Sequence, residues 1–145
     1  MRAAALALTA VATVVLVAGC SSSPGEDLED WYTSGGEKQL EQMREDAARV
    51  NEVSMGTFGQ MGPACGDLLK HLPAAEDLDA IPDKPAQITW KAALKGLREG
   101  ATECRAGVDA KDGTKTSRGI RTVQLDGLPN LRDTVSRIKD KLASD

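Results

Sequence analysis

His71 is the one imidazole in the chain of 145 residues, so proton transfer near neutral pH has a single ordinary carrier. It lies between Lys70 and Leu72, with nothing nearby that resembles a nucleophile and its orienting group, and reads as a solvent-facing histidine. Close carboxylates such as Glu45/Asp46 and Asp77/Asp79 carry no acid–base meaning, because 22 acidic side chains produce such pairs by chance. Asp109-Ala110-Lys111-Asp112-Gly113 is laid out like the start of a calcium loop, but Lys111 stands where an oxygen ligand is required. It reads instead as a helix-to-helix turn, with Gly113 supplying the turn. Thioethers and imidazole hold Cu(I) outside cells, yet Met55, Met61 and His71 lack close repeats. Met43, Met55 and Met61 are expected to fill core gaps. There is no G-x-S-x-G elbow, no H-E-x-x-H and no G-x-x-x-x-G-K loop. No catalytic residue, metal ligand or cofactor is assigned, and the chain reads as a non-enzyme.

The remaining chemistry is electrostatic. Lys111, Lys115, Arg118 and Arg121 gather at the start of the last helical segment, with Asp112 among them. Cations at a helix N-terminus oppose the macrodipole, which favours acids there. They make a basic spot on an acidic protein. Such a spot suits an anion: a headgroup, a wall-polymer phosphate or an acidic partner. The alternative is a solvated turn carrying long side chains, worth little energetically.

The first residues supply an address. Met1-Arg2 is a minimal positive region, Ala3 to Val17 an uncharged apolar stretch, and Ala18 and Gly19 a small-residue exit before Cys20. Those are the parts of a secretory signal. Ser21-Ser22-Ser23-Pro24 ends the run short of the 20 or so apolar residues that a span needs. Val17-Ala18-Gly19-Cys20 resembles a bacterial lipobox. The resemblance implies a diacylglyceryl group on the Cys20 thiol, cleavage between Gly19 and Cys20, and further acylation of the new amine, palmitate being a typical chain. It implies a lipoprotein held at the extracytoplasmic face of the cell membrane, its first partner being membrane lipid. Two or three acyl chains anchor firmly where one is marginal.

Cleavage removes Arg2 and no acid, leaving 17 basic against 22 acidic side chains, a formal charge of −5. That balance, with export, excludes a nucleic-acid binder, which needs a net basic face. With Cys20 lipidated, Cys65 and Cys104 remain, and outside the cytoplasm two cysteines most simply form one disulfide. The chain-entropy model values such a link at roughly 3–4 kcal/mol. Two free buried thiols are the alternative. A soft metal site would want four ligands in close-spaced pairs.

These groups need elements to position them. Residues 20–36, the lipidated cysteine and a Ser-, Gly- and acid-rich stretch, read as a flexible tether about 20–24 Å end to end. Trp31 and Tyr32 within it either rest at the membrane interface or pack back on their own domain, the second being favoured because large apolar groups leave water. Residues 37–145 read as one domain of helices. Leu40, Met43, Ala47 and Val50 form one apolar stripe. Gly56, Gly59 and Gly62 loosen the chain before a second helix with Pro63 in its first turn and Cys65, Leu68, Leu69 and Leu72 on one face. Asp83 is a candidate N-cap for a third. That helix carries the clearest seam: Trp90, Leu94, Leu97, Ala101, Cys104 and Val108, alternating steps of four and three. A Cys65–Cys104 bridge would staple helix two to helix three from inside. Gly96 and Gly100 beside the seam call for either a close backbone neighbour or a small ligand groove. A fourth helix, Thr114 to Leu142, should kink or split near Asp126, where Gly127 and Pro129 intervene. Short links make this an all-α, antiparallel four-helix bundle stapled by one disulfide.

The run Cys65-x-x-Leu68, Ile81-Pro82-Asp83 and Trp90-x-x-Ala93-Leu94-x-x-Leu97-x-x-Gly100-Ala101-x-x-Cys104 resembles small helical exported proteins of actinobacteria. The resemblance implies helices and a disulfide and supplies no activity. Two roles follow as expectations. One is a non-enzymatic interaction module binding an envelope protein or anionic envelope component. The other is a small-ligand carrier or sensor with a cavity near Gly96, Gly100 and Trp90.

Overall fold

The computed structural model describes residues 23–144. Helix α1 (Pro24–Trp31) passes through a wide turn, Tyr32–Gly36, into α2 (Glu37–Glu52). After a single 3-10 turn come α3 (Phe58–Glu76) and α4 (Lys84–Asp109). Helix α5 (Gly113–Thr122) passes through a second wide turn, Val123–Gly127, into α6 (Leu128–Ser144). The chain thus makes four rods joined by short links, and no strand occurs among the described residues. Helix α3 packs on α2 and α4, α4 packs on α5 and α6, and α6 meets α2, which closes the ring. This is the antiparallel four-helix bundle that periodicity anticipates.

The tether is the main departure. Residues 21–36 were expected to be flexible, yet helix begins at Pro24. Ser23 and Glu26 form a capping box, Pro24 suits the first turn, and Glu26 and Asp27 complement the dipole. Leu28 and Trp31, one turn apart, are both buried. The Trp31 indole N–H donates to the Asp79 carbonyl at 2.8 Å. Its ring covers Gly36 so closely that a Cβ there would lie 2.4 Å from it. Gly35 bends the backbone at φ +148°, a conformation that favours glycine. These glycines are a packed corner and not a linker, so the folded domain starts near residue 23 and not at 37.

Helix α3 also starts earlier than expected. Thr57 caps it, its N–H bonded to Gln60 Oε1 at 2.9 Å. Gly59 and Gly62 are helical, and Pro63 stands inside the helix, past the first turn. The lost Pro63 N–H bond falls near the N-terminus, where few intrahelical bonds have accumulated. Asp83 caps α4, accepting the Ala86 N–H at 2.9 Å. Pro129 lacks the N–H that would continue α5 unbroken, and the wide turn before it is the expected kink.

The core is built from the stripes read in the sequence. Leu40, Met43, Ala47 and Val50 are buried, as are Cys65, Leu68 and Leu72. So are Trp90, Leu94, Leu97, Ala101 and Cys104, with Leu128, Leu131 and Ile138 from the last rod. Cys65 and Cys104 form the disulfide, with Cα atoms 6.2 Å apart and both residues fully buried. It joins α3 to α4 from inside.

Beside the seam, α4 and the fourth rod touch backbone to backbone. A Cβ on Gly96 would stand 2.7 Å from the Gly127 nitrogen, and one on Gly100 2.7 Å from the Gly119 oxygen. A Cβ on Gly119 would stand 2.2 Å from the Cys104 nitrogen. Close approach is therefore the reason for Gly96 and Gly100. The place where a small ligand groove was the alternative is filled by backbone.

Candidate interaction surface at the far end of the bundle

Chain direction sorts the surface into two ends. Residue 23, the 77–83 link and the end of α6 lie at one end. The 53–57 link, the 110–112 link and the start of α5 lie at the other. The first end is acidic, with Glu26, Asp27, Glu29 and Asp30 on α1 and Asp77 and Asp79 in the link, all exposed. The basic spot lies at the second.

Helix α5 and the turn before it position that spot. Lys111 has φ +54° and is the one non-glycine residue with positive φ among those described. It occupies the left-handed position just past the end of α4. There Lys111 N–H bonds to Val108 O at 3.0 Å and Asp112 N–H to Gly107 O at 2.8 Å. This is a Schellman closure, whose left-handed position glycine usually fills. The turn was expected to rest on Gly113. Instead Gly113 opens α5 in helical conformation, and Lys111 bears the strain. Asp112 caps α5 by accepting the Lys115 N–H at 3.0 Å.

The four cations divide. Arg118 and Arg121 line a shallow depression with Gly113, Thr114 and Ser117. Lys115 is half-buried and stands outside that depression, and Lys111 tops the link. Arg118 donates to Glu103 at 3.0 Å. Lys111, Lys115 and Arg121 engage no acid among the described residues. Elsewhere arginines are mostly neutralised: Arg44 by Glu41, Arg49 by Asp67, Arg98 by Glu76, Arg105 by Asp109 and Arg137 by Asp133. The hydrogen bond from Arg44 also holds the Glu41 carboxyl below the ordinary carboxylate range.

An apolar shelf adjoins the cations. A second depression is lined by Gly56, Thr57, Phe58, Met61, Gly113, Thr116 and Ser117, so it shares Gly113 and Ser117 with the first. Phe58 is 36% exposed and Met55, within the 53–57 link, 94% exposed. Met55 was expected in the core. It lies on a single 3-10 turn between rods, where the helical stripe of α2 has already ended. Met43 and Met61 are buried as expected. Nothing in the local sequence marks the shelf, because it forms only where the α2–α3 link meets α5.

Other candidates resolve differently. His71 was read as solvent-facing, but its side chain is about one-third exposed and its Nδ1 lies 2.8 Å from Asp46 Oδ2. Asp46 is buried, and the Gln42 amide donates to both its oxygens at 3.2 Å. Burial of a carboxylate requires such partners. Asp46 is the imidazole's one hydrogen-bond partner among the described residues, so the pair cross-links α2 to α3 without a nucleophile. Among the described residues no three His, Cys, Asp or Glu side chains group to hold a metal. No described helix is long and apolar enough to cross a membrane. Gly19 and Cys20, the cleavage and lipidation positions, lie outside the described residues. Comparison of the chain with family models, curated proteins and solved structures returns no match.

Proposed function

We propose that this protein is a lipoprotein of the extracytoplasmic membrane face that acts as a non-enzymatic interaction module. The lipobox-like run ending at Cys20 supports the anchor, and chain direction supports the role. The end carrying Met55, Phe58 and the unpaired cations lies opposite residue 23, so an anchored N-terminus leaves that end facing outward. Three residues, 21–23, separate Cys20 from the first helix, a reach of at most about 10 Å. Helix α4 has 26 residues and is about 39 Å long, so the outward end stands several tens of ångströms from the headgroups.

The test of the anchor is mass spectrometry of the N-terminal peptide of the exported protein, with membrane fractionation of a Cys20→Ala variant. A diacylglyceryl adduct on Cys20, and release of the variant from membranes, are expected. An unmodified Cys20, or a variant that still sediments with membranes, refutes the anchor.

A further inference from the structure

We infer that the outward end binds an acidic polypeptide segment that also carries an apolar side chain. The inference deepens the interaction-module reading by naming the partner's chemistry. Three observations converge. First, Lys111, Lys115 and Arg121 cluster with Arg118 between residues 111 and 121 and engage no acid among the described residues, whereas the other cations without an acidic partner, Lys38, Lys70, Lys84, Lys91, Arg132 and Lys139, are spread along the chain. Opposite charge steers and orients a partner. Second, the shelf at Phe58, floored by the buried Met61, shares Gly113 and Ser117 with the depression bearing Arg118 and Arg121. A purely hydrophilic polyanion would gain from the cations and nothing from this shelf or from Met55. A segment with both acidic and apolar side chains gains from both, since apolar area leaving water is favourable.

Third, the cations stand where they lower stability. Lys111 holds a left-handed backbone that glycine would adopt without strain. Lys115 lies in the first turn of α5, against the dipole, with the N-cap Asp112 as the acid that offsets it there. Departures from local rules concentrate at functional sites.

The test pans a random twelve-residue peptide library against the exported full chain, purified in detergent and held by a C-terminal tag. Affinity of the best peptide is then read by fluorescence anisotropy. Expected are sequences enriched in Asp or Glu beside Leu, Phe or Ile. Lys115→Glu with Arg121→Glu should weaken binding at least tenfold, and Met55→Ser with Phe58→Ser at least fivefold. Met55→Ser alone, at a site almost wholly exposed, should weaken it without moving the melting curve. No peptide above background, sequences without acidic enrichment, or affinities unmoved by either pair of changes would overturn the inference. Inorganic polyphosphate binding more tightly than any peptide, and indifferent to Met55→Ser, would reassign the surface to a polyanion. None of these outcomes depends on whether Cys20 carries lipid.

Discussion

Gly119→Ala should destabilise the protein although it replaces glycine by the best helix former. Helix propensity alone predicts a gain of up to about 1 kcal/mol. The added Cβ, however, would lie 2.2 Å from the Cys104 nitrogen and 2.6 Å from the Gly100 oxygen. Ordinary contact begins near 3.4 Å, so α4 and α5 must part by roughly 1 Å. Neither obstacle is a side chain that could swing aside. Helix α4 is also fixed on its far side by the Cys65–Cys104 bridge, so the opening cannot be shared freely. Overpacking of this kind costs about 1–3 kcal/mol and more when backbone must move, while a 1 Å gap forfeits a quarter to a half of each contact along the interface. The net expectation is a loss of about 2 kcal/mol or more, read in urea as a midpoint lower by about 1 M. Gly66→Ala is the matched control: its Cβ would meet a flexible guanidinium, Arg105 Nη1, at 3.3 Å. That variant should keep or raise the midpoint. If Gly119→Ala equals or exceeds the parent while Gly66→Ala behaves as expected, the backbone contact between α4 and α5 is refuted.

Three further outcomes follow from the same geometry. Trp31→Ala should cost about 3–5 kcal/mol, because the indole is buried against Gly36 and bonded to Asp79; an unchanged melting curve would return residues 24–36 to the status of a tether. Lys111→Gly should raise stability by about 1 kcal/mol by relieving the left-handed strain, and a fall in the denaturation midpoint would contradict the Schellman closure. Replacing Cys65 and Cys104 together by Ala should lower stability by roughly 3–4 kcal/mol, and equal melting curves with and without reductant would remove the staple from this account.

The seams were legible because burial repeats with the helix period. Trp90, Leu94, Leu97 and Cys104 announce one face of α4 whatever packs on it. The kink before α6 was legible because Pro129 acts on its own backbone. The tether was misread through composition: Ser, Gly and acids suggest a linker, yet Ser23 and Glu26 at capping-box spacing, followed by Leu28 and Trp31 one turn apart, were the better signal. Gly35 and Gly36 looked like punctuation because the ring that requires Gly36 is visible only in three dimensions. The pairing of His71 with Asp46 was hidden for a similar reason. Each residue stands out on its own helix, but nothing in the sequence links the two, and only the register of α2 against α3 brings them within 2.8 Å.

Folding of α1 changes what an anchored module could reach. A flexible stretch of residues 21–36 would let the domain roam about 20–24 Å from its lipid and present any face. With α1 docked through Leu28 and Trp31, three residues remain between Cys20 and a rigid body. With Cys20 anchored, the near end would stay within about 10 Å of the lipid, and the two ends would cease to be equivalent. In an upright domain the cations would stand several Debye lengths from the near-end acids, where screening by those acids is weakest. A partner approaching an upright, anchored domain from outside would meet the basic and apolar end first. The reach of that end would then depend on Ser23, Leu28, Trp31 and Gly35, which dock α1 on the bundle and would not touch the partner.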